Sequence, residues 1–163
     1  MSHPVNVLFL CTHNSARSVL AECLLNHLGS GRFRAFSAGS QPSGKVNPFA
    51  LQALAEAGVD TAGVRSKAWD EFAVPGAPQM DLIITVCDGA AGEACPVWPG
   101  HPATAHWGYA DPSATSGDDA AKLAAFRDTL ALIRRRLDKL VALPDERLQA
   151  PTLQQTARDL SAH

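Results

Sequence analysis

Apolar positions in the first third of the chain switch between the spacing of strands and the spacing of helices. Residues 5–10 form a short, mostly apolar run that ends abruptly in polar residues, which predicts a buried strand followed by a loop. Across residues 16–28 apolar side chains recur at helical spacing, and Gly29 is a natural helix end. Residues 32–37 alternate as a second strand does, and the turn-rich residues 38–44 follow. The chain is therefore predicted to begin with strand, loop, helix and strand.

The middle of the chain repeats this arrangement. Asn47 can cap a helix that has Pro48 at its first position and continues to Gly58. Residues 81–86 predict another buried strand, which again ends at a cysteine. Residues 87–112 contain several glycines and prolines, and we expect them to form a long, irregular and functional connection.

The last third is predicted to be helical. A long helix is expected over residues 118–141, and residues 153–160 form a weaker amphipathic segment. Strands that alternate with helices predict an α/β fold in which helices cover a parallel sheet, with a ligand at the carboxyl ends of the strands. The length of 163 residues fits one catalytic domain, residues 1–144, followed by a partly helical C-terminal extension, residues 145–163.

Composition excludes several classes of protein. Hydrophobic residues make up 46% and charged residues 18%, which is typical of a globular chain and not of a disordered one. The net charge is −2 and the one dense basic run, Arg134 to Arg136, lies in a helical pattern, so no nucleic-acid partner is expected. The apolar run at residues 5–10 is too short for a signal peptide or a membrane span, so we expect a cytoplasmic protein without a membrane partner.

One loop carries the pattern of an anion site. Between the first strand and the first helix stand a cysteine, five residues and an arginine. A loop wrapped around one point directs backbone N–H groups inward, and the following helix adds its positive terminus. The guanidinium of Arg17 can hold two oxygens, and the same field favours a reactive Cys11 thiolate. Ser18 can donate to that sulfur, and Asn14 tolerates a left-handed backbone. The predicted substrate-binding residues are Thr12, His13, Asn14, Ser15, Ala16, Arg17 and Ser18.

The motif within residues 7–22, together with Ser37-Ala38-Gly39, resembles the low-molecular-weight phosphotyrosine phosphatases and the arsenate reductases derived from them. The resemblance implies a four-stranded parallel sheet flanked by helices, in the flavodoxin-like architecture of that family. It also implies that Cys11 is the nucleophile, that Arg17 binds the oxyanion, and that a late Asp-Pro pair supplies a general acid. That pair is present as Asp111-Pro112, although Asp before Pro is also a common turn.

Two further cysteines favour the reductase over the phosphatase. Cys87 and Cys95 lie in a segment that resembles the redox segment of thioredoxin-coupled arsenate reductases. That resemblance implies that Cys11 attacks arsenate, Cys87 then attacks the Cys11 sulfur, and Cys95 attacks Cys87. An external thiol reductant, thioredoxin or glutathione with glutaredoxin, then reduces the Cys87-Cys95 disulfide. If the segment is helical when reduced, the two cysteines stand about 12 Å apart. The helix must then unwind before they can form a disulfide.

Smaller features bear on specificity and metals. Ser113 follows the Asp-Pro pair where phosphatases of this family usually carry a tyrosine, so a ring substrate has little to pack on. Some relatives bind potassium beside the loop, but Lys67 stands in that region and its ammonium is expected to replace the ion. Zinc ligation by cysteines 87 and 95 with histidines 101 and 106 lacks the tight knuckle spacing. We expect no metal and no bound cofactor, while phosphate or sulfate can occupy the arsenate site.

Three functions remain open at this point. The first is arsenate reduction, which the paired cysteines favour. The second is a phosphatase acting on phosphotyrosine or other phosphoesters, in which the two late cysteines are incidental. The third is a module that binds oxyanions or senses thiols without turnover. The spacing of Cys87 and Cys95 is one residue longer than in the reductases it resembles, so the order of thiol exchange also stays open.

Overall fold

Strands and helices alternate in the computed structural model, which describes residues 4–29, 31–86, 102–149 and 152–161. The helices and strands, in chain order, are β1 (Val5–Cys11), α1 (Arg17–Leu28), β2 (Phe33–Gly39), α2 (Pro48–Glu56), β3 (Leu82–Thr85), β4 (Ala103–His106), α3 (Asp119–Val141) and α4 (Thr152–Leu160). Short 3-10 turns lie at Trp69–Phe72, Pro112–Ala114 and Asp145–Arg147. The predicted alternation of strands and helices is confirmed from β1 to β3.

The four strands form one parallel sheet with the order β2-β1-β3-β4. Strand β1 is central and its residues 7–10 are fully buried, as a strand covered on both faces must be. Its last residue, Cys11, pairs with Gly39 of β2, so the two strands end together. The predicted four-stranded parallel sheet is confirmed, and β1 delivers the cysteine to the carboxyl edge of this sheet.

The location of the fourth strand corrects one prediction. Residues 87–112 were expected to be irregular, but Ala103–His106 pairs with β3 in parallel register. This strand is four residues long, lies at the sheet edge, and Ala105 is its only buried residue. Small and polar side chains at a half-exposed edge give no clear alternation, so pairing with β3 determines this strand and its local sequence does not.

The helix ends follow local capping chemistry. Helix α1 begins without a side-chain cap, which leaves its first amides for other partners. Asn47 caps α2 by accepting a 2.8 Å hydrogen bond from the Phe49 amide, with Pro48 at the first position as predicted. Asp118 caps α3 in the same way through the amide of Ala121, at 2.9 Å.

Helices α1, α3 and α4 share the core of the molecule. Helix α1 packs against β1 and β2, and α3 packs against α1 and α2. Helix α3 buries one stripe, Leu123, Phe126, Leu130, Ile133, Leu137 and Leu140. Helix α4 confirms the prediction of an amphipathic segment and packs against β4 and α3.

The division of the chain at residue 144 stays a prediction. None of the helices in the four described ranges is long and apolar enough to cross a membrane.

Candidate active site

The loop between β1 and α1 starts at Cys11, which is 5% exposed, and ends where Arg17 begins the helix. The carbonyls of Thr12, His13 and Ser15 accept hydrogen bonds of 2.9–3.1 Å from backbone amides of residues 41–47. Because these carbonyls bind the surrounding chain, the amides of the loop are turned the other way. Within the described ranges, the amides of residues 13–16 have no hydrogen-bond acceptor. The loop therefore offers a set of donors on one side, as an anion site requires.

Asn14 holds the shape of this loop. Its backbone has φ 48°, the only positive φ at a non-glycine residue among those described, and the side chain is fully buried. The amide nitrogen Nδ2 donates to the hydroxyls of Ser18 at 2.8 Å and Ser37 at 2.9 Å, and Oδ1 accepts from the backbone amide of Lys67 at 2.9 Å. The expectation of a left-handed Asn14 is confirmed. Since Ser18 Oγ accepts this bond, its proton remains available to a neighbouring acceptor.

Gly39 is required by the close approach of β2 to the loop. A Cβ at this position would lie 2.4 Å from the carbonyl oxygen of Thr12 and 2.9 Å from that of Cys11. Both neighbours are backbone atoms, which cannot turn away as a flexible side chain could. Only glycine allows the end of β2 to pack against the start of the loop.

Arg17 is fixed from outside the loop. Its Nη1 donates to the carbonyl oxygen of Tyr109 at 2.9 Å, and its Nη2 lies 3.6 Å from Oδ2 of Asp111. Its Nε is buried and has no hydrogen-bond partner among the described residues. A buried guanidinium donor without an acceptor is costly unless a ligand satisfies it. This arrangement fits a guanidinium that keeps one donor for a bound oxyanion.

Asp111 caps a short turn and also faces Arg17. Its Oδ1 accepts from the backbone amide of Ser113 at 2.9 Å and from the Ser113 hydroxyl at 2.6 Å, which caps the short turn Pro112–Ala114. Its other oxygen faces Arg17, and the side chain is 39% exposed. The structure thus brings Arg17 and Asp111 together beside the loop that begins at Cys11, and leaves the carboxyl group reachable from solvent.

Comparison with known proteins identifies the family to which the chain belongs. A family model described as low molecular weight phosphotyrosine protein phosphatase matches residues 6–153. The chain belongs to this family. The arsenate reductase of Halalkalibacterium halodurans is 36% identical over 131 residues, which are 80% of this chain and 91% of the relative.

Solved structures agree with this assignment of the fold. The crystal structure of the arsenate reductase from Archaeoglobus fulgidus has a TM-score of 0.65 and 33% identity, covering 84% of this chain and 99% of that chain. A thioredoxin-dependent arsenate reductase of Corynebacterium glutamicum has a TM-score of 0.59 and 27% identity, covering 86% of this chain and 63% of that chain. The predicted architecture of the low-molecular-weight phosphatase family is confirmed.

A buried ion pair lies beneath the loop in this family member. The ammonium of Lys67 is 3.7 Å from a carboxylate oxygen of Glu22, and the two side chains are only 7% and 16% exposed. The Ser37 hydroxyl donates to the same carboxylate, and Lys67 Nζ also donates to the carbonyl of Arg65 at 3.2 Å. Burial raises the pKa of Glu22, an effect that Lys67 opposes, and burial lowers the pKa of Lys67, which Glu22 opposes.

The ion pair contacts the loop through Asn14. Ser37 bonds both Glu22 and Asn14, and the Lys67 backbone bonds Asn14 directly. Sequence reasoning placed Lys67 beside the loop by resemblance but missed Glu22, because a glutamate inside a helix carries no local sign of a partner 45 positions away. Among the residues that the structure describes, no cluster of His, Cys, Asp and Glu could hold a metal ion.

Several predicted residues lie outside the described ranges. They are Cys87, Cys95 and His101. The described chain reaches Val86, which is fully buried and whose amide donates to the carbonyl of Leu10 at 2.9 Å. Leu10 directly precedes Cys11. His106 bonds the hydroxyl of Thr85 through Nδ1 at 2.7 Å, so it contacts its neighbouring strand.

Proposed function

We propose that this family member reduces arsenate to arsenite, with Cys11 as the nucleophile. The observation that carries the oxyanion site is the buried Nε of Arg17, which has no partner among the described residues, beside a loop whose carbonyls at Thr12, His13 and Ser15 bind outward. The choice of arsenate over a phosphoester is supported by the sequence identity to proteins named arsenate reductases. It is also supported by the serine that follows Asp111-Pro112, since this residue offers no aromatic surface to a substrate ring.

Binding and activation use the same charges. A tetrahedral dianion fits the amides of residues 13–16, and Arg17 neutralises part of its charge. The positive end of α1 and the guanidinium keep the Cys11 sulfur as a thiolate at neutral pH, because both favour the charged form. The Ser18 proton, which the bond from Asn14 leaves available, can be donated to this sulfur.

The proposed reaction uses three cysteine thiols in sequence. The Cys11 thiolate bonds to arsenic, and Asp111 protonates the departing oxygen, which leaves as water. Cys87 attacks the Cys11 sulfur, and the electron pair of the As–S bond stays on arsenic, so As(V) becomes As(III) and arsenite departs. Cys95 attacks the Cys87 sulfur and releases the Cys11 thiolate. The sum is arsenate and two thiols giving arsenite, water and one disulfide.

The role of Cys87 is supported by its neighbour. Val86 lies beside Leu10 through a 2.9 Å backbone hydrogen bond, and consecutive Cα atoms are about 3.8 Å apart. Cys87 therefore follows a residue that is already next to the strand carrying Cys11. The role of Cys95 rests on the resemblance alone and stays a prediction.

The disulfide requires an external electron donor. We propose thioredoxin, because one solved relative is a thioredoxin-dependent arsenate reductase. Glutathione with glutaredoxin is the alternative electron donor. A reducing compartment, the cytoplasm, is the setting in which such a thiol relay can be recycled.

The test follows NADPH oxidation by purified protein with arsenate, thioredoxin and thioredoxin reductase, with p-nitrophenyl phosphate hydrolysis measured in parallel. We expect Cys87→Ser to abolish arsenate-dependent oxidation and to keep ester hydrolysis, because hydrolysis uses the loop and Asp111 but not Cys87. Cys23→Ala is the matched control, since Cys23 is a buried cysteine of α1 with no role in the relay. Arsenate turnover by Cys87→Ser equal to that of the unsubstituted protein would overturn the proposal. Ester hydrolysis without arsenate turnover would favour a phosphatase.

A further inference from the structure

Helix α4 is bonded to the exposed edge of the sheet. The amide of Thr104 in β4 donates to Oε1 of Gln154 at 3.1 Å, and Nε of Arg158 donates to the carbonyl of Thr104 at 3.1 Å. The outward backbone groups of an edge strand otherwise pair with water or with another strand. Side chains of α4 therefore satisfy both backbone groups of Thr104 and fix the helix against β4.

A second bond ties α4 to the segment that leads to Asp111. The indole N–H of Trp107 donates to the carbonyl of Ala157 at 2.8 Å, and these residues are 1% and 0% exposed. Leu153 and Leu160 of the same helix are also buried. Trp107 stands four positions before Asp111, so α4 sets where the chain enters the acid-bearing segment.

The end of α4 reaches Arg17 through two residues. Arg136 of α3 donates from Nη2 to the carbonyl of Ser161, just after α4, at 3.0 Å. The Arg136 guanidinium lies over the ring of Tyr109, 4.9 Å from its centroid. The carbonyl of Tyr109 accepts the 2.9 Å bond from Arg17. Tyr109 is thus held on its side chain by Arg136 and holds Arg17 through its backbone.

The family match does not account for this helix. It ends at residue 153, whereas α4 runs from Thr152 to Leu160. Most of α4 therefore lies beyond the part of the chain that the family model describes. In this chain the helix contacts β4 and Trp107, and Ser161 just after the helix accepts a bond from Arg136.

We propose that α4 is a positioning element for the oxyanion site, and that Trp107 and Arg136 are the positioning residues through which it sets the Arg17 guanidinium. This inference rests on the proposed function for the identity of the reaction, but it concerns how the bound anion is held. Misplacing a guanidinium that donates charge-assisted bonds weakens anion binding, whereas the attacks by Cys87 and Cys95 follow once the anion is bound.

The test compares Arg136→Met with Arg135→Met, which changes the exposed neighbour on the same helix. We expect Arg136→Met to raise the Kd for inorganic phosphate, measured by titration calorimetry, about tenfold, and Arg135→Met to change it less than about twofold. The KM for arsenate should rise by a similar factor with kcat nearly unchanged. Arg136→Lys should restore most of the affinity, because an ammonium can still lie over the Tyr109 ring.

A second variant tests the same inference if Arg136→Met does not fold. Trp107→Phe removes the N–H bond to α4 and part of the buried ring system but keeps an aromatic ring in the core, and it should also raise the phosphate Kd. Urea unfolding of every variant separates affinity from stability. The inference is overturned if Arg136→Met and Trp107→Phe lose stability but bind phosphate as tightly as the unsubstituted protein. Phosphate binding without arsenate turnover would reject only the proposed reaction, whereas an unsubstituted protein that binds no phosphate would reject both.

Discussion

Replacing Lys67 with methionine isolates the buried ion pair beneath the loop. The substitution keeps a long apolar side chain and removes the ammonium, so Glu22 loses its opposite charge while still 16% exposed and bonded by Ser37. Removing one member of a buried pair costs about 3–5 kcal/mol, and the remaining partners of Glu22 favour the lower end, about 3 kcal/mol. For a chain of this length each kcal/mol lowers Tm by roughly 2–4 °C, so we expect a fall of roughly 6–12 °C near pH 7.

The loss should depend on pH in a defined direction. Burial already raises the pKa of Glu22 above its ordinary 4.5, and Lys67 opposes that rise, so the variant's Glu22 pKa lies higher still. A folded state with the raised pKa binds a proton that the unfolded state has released, and stability then falls as pH rises through this window. The free energy of unfolding of Lys67→Met should therefore be closest to that of the unsubstituted protein near pH 5. The difference should grow as the pH rises to the raised pKa of Glu22.

Urea unfolding at pH 5 and pH 7.5 measures both effects, with Arg65→Met as the matched control. Arg65 and Glu71 form an exposed pair, 2.6 Å apart and 61% and 41% exposed, which is worth less than about 1 kcal/mol. If Lys67→Met loses no more stability than Arg65→Met at pH 7.5, and the loss does not change with pH, the reasoning about the buried pair is refuted.

Three further outcomes follow from the loop and its surroundings. Gly39→Ala should abolish phosphate binding in calorimetry, because the new Cβ meets the Thr12 carbonyl at 2.4 Å, and a stable variant with unchanged Kd would contradict this. Asn14→Ala should lower the free energy of unfolding in urea by about 2–4 kcal/mol, since a left-handed residue loses three buried hydrogen bonds, and a loss below 1 kcal/mol would contradict it. Burial raises the pKa of Cys23 to about 12, so iodoacetamide at pH 8 should alkylate Cys11 and leave Cys23 unmodified in peptide mass spectra; equal rates would be the opposite result.

Elements with local signals could be predicted from the sequence. The buried run of β1, the Asn47 cap of α2 and the long helix α3 are each encoded by residues close together in the sequence, and the structure has them there. Strand β4 could not be placed, because four small and polar residues become a strand only by pairing with β3. Nonlocal pairing, and not local propensity, decides such edge strands.

The same limit applies to the site. The loop from Cys11 to Arg17 and the left-handed Asn14 are encoded by neighbouring residues, and they were predicted. The contacts that fix Arg17 were not, because its partner Tyr109 acts through a backbone carbonyl 92 positions away, which no side-chain pattern reveals. Glu22 was missed for a related reason, since its partner becomes a neighbour only after folding.

In the proposed reaction Cys11 is the nucleophile that bonds to arsenic, and Cys87 and Cys95 supply the two electrons that reduce arsenate and end as one disulfide. The most direct measurement mixes fully reduced protein with excess arsenate, without any reductant, then counts arsenite and maps disulfides by mass spectrometry. We expect one arsenite per protein, one disulfide that joins Cys87 to Cys95, and neither product from Cys11→Ser. Arsenite formed equally by Cys11→Ser, or no arsenite from the reduced unsubstituted protein, would contradict it.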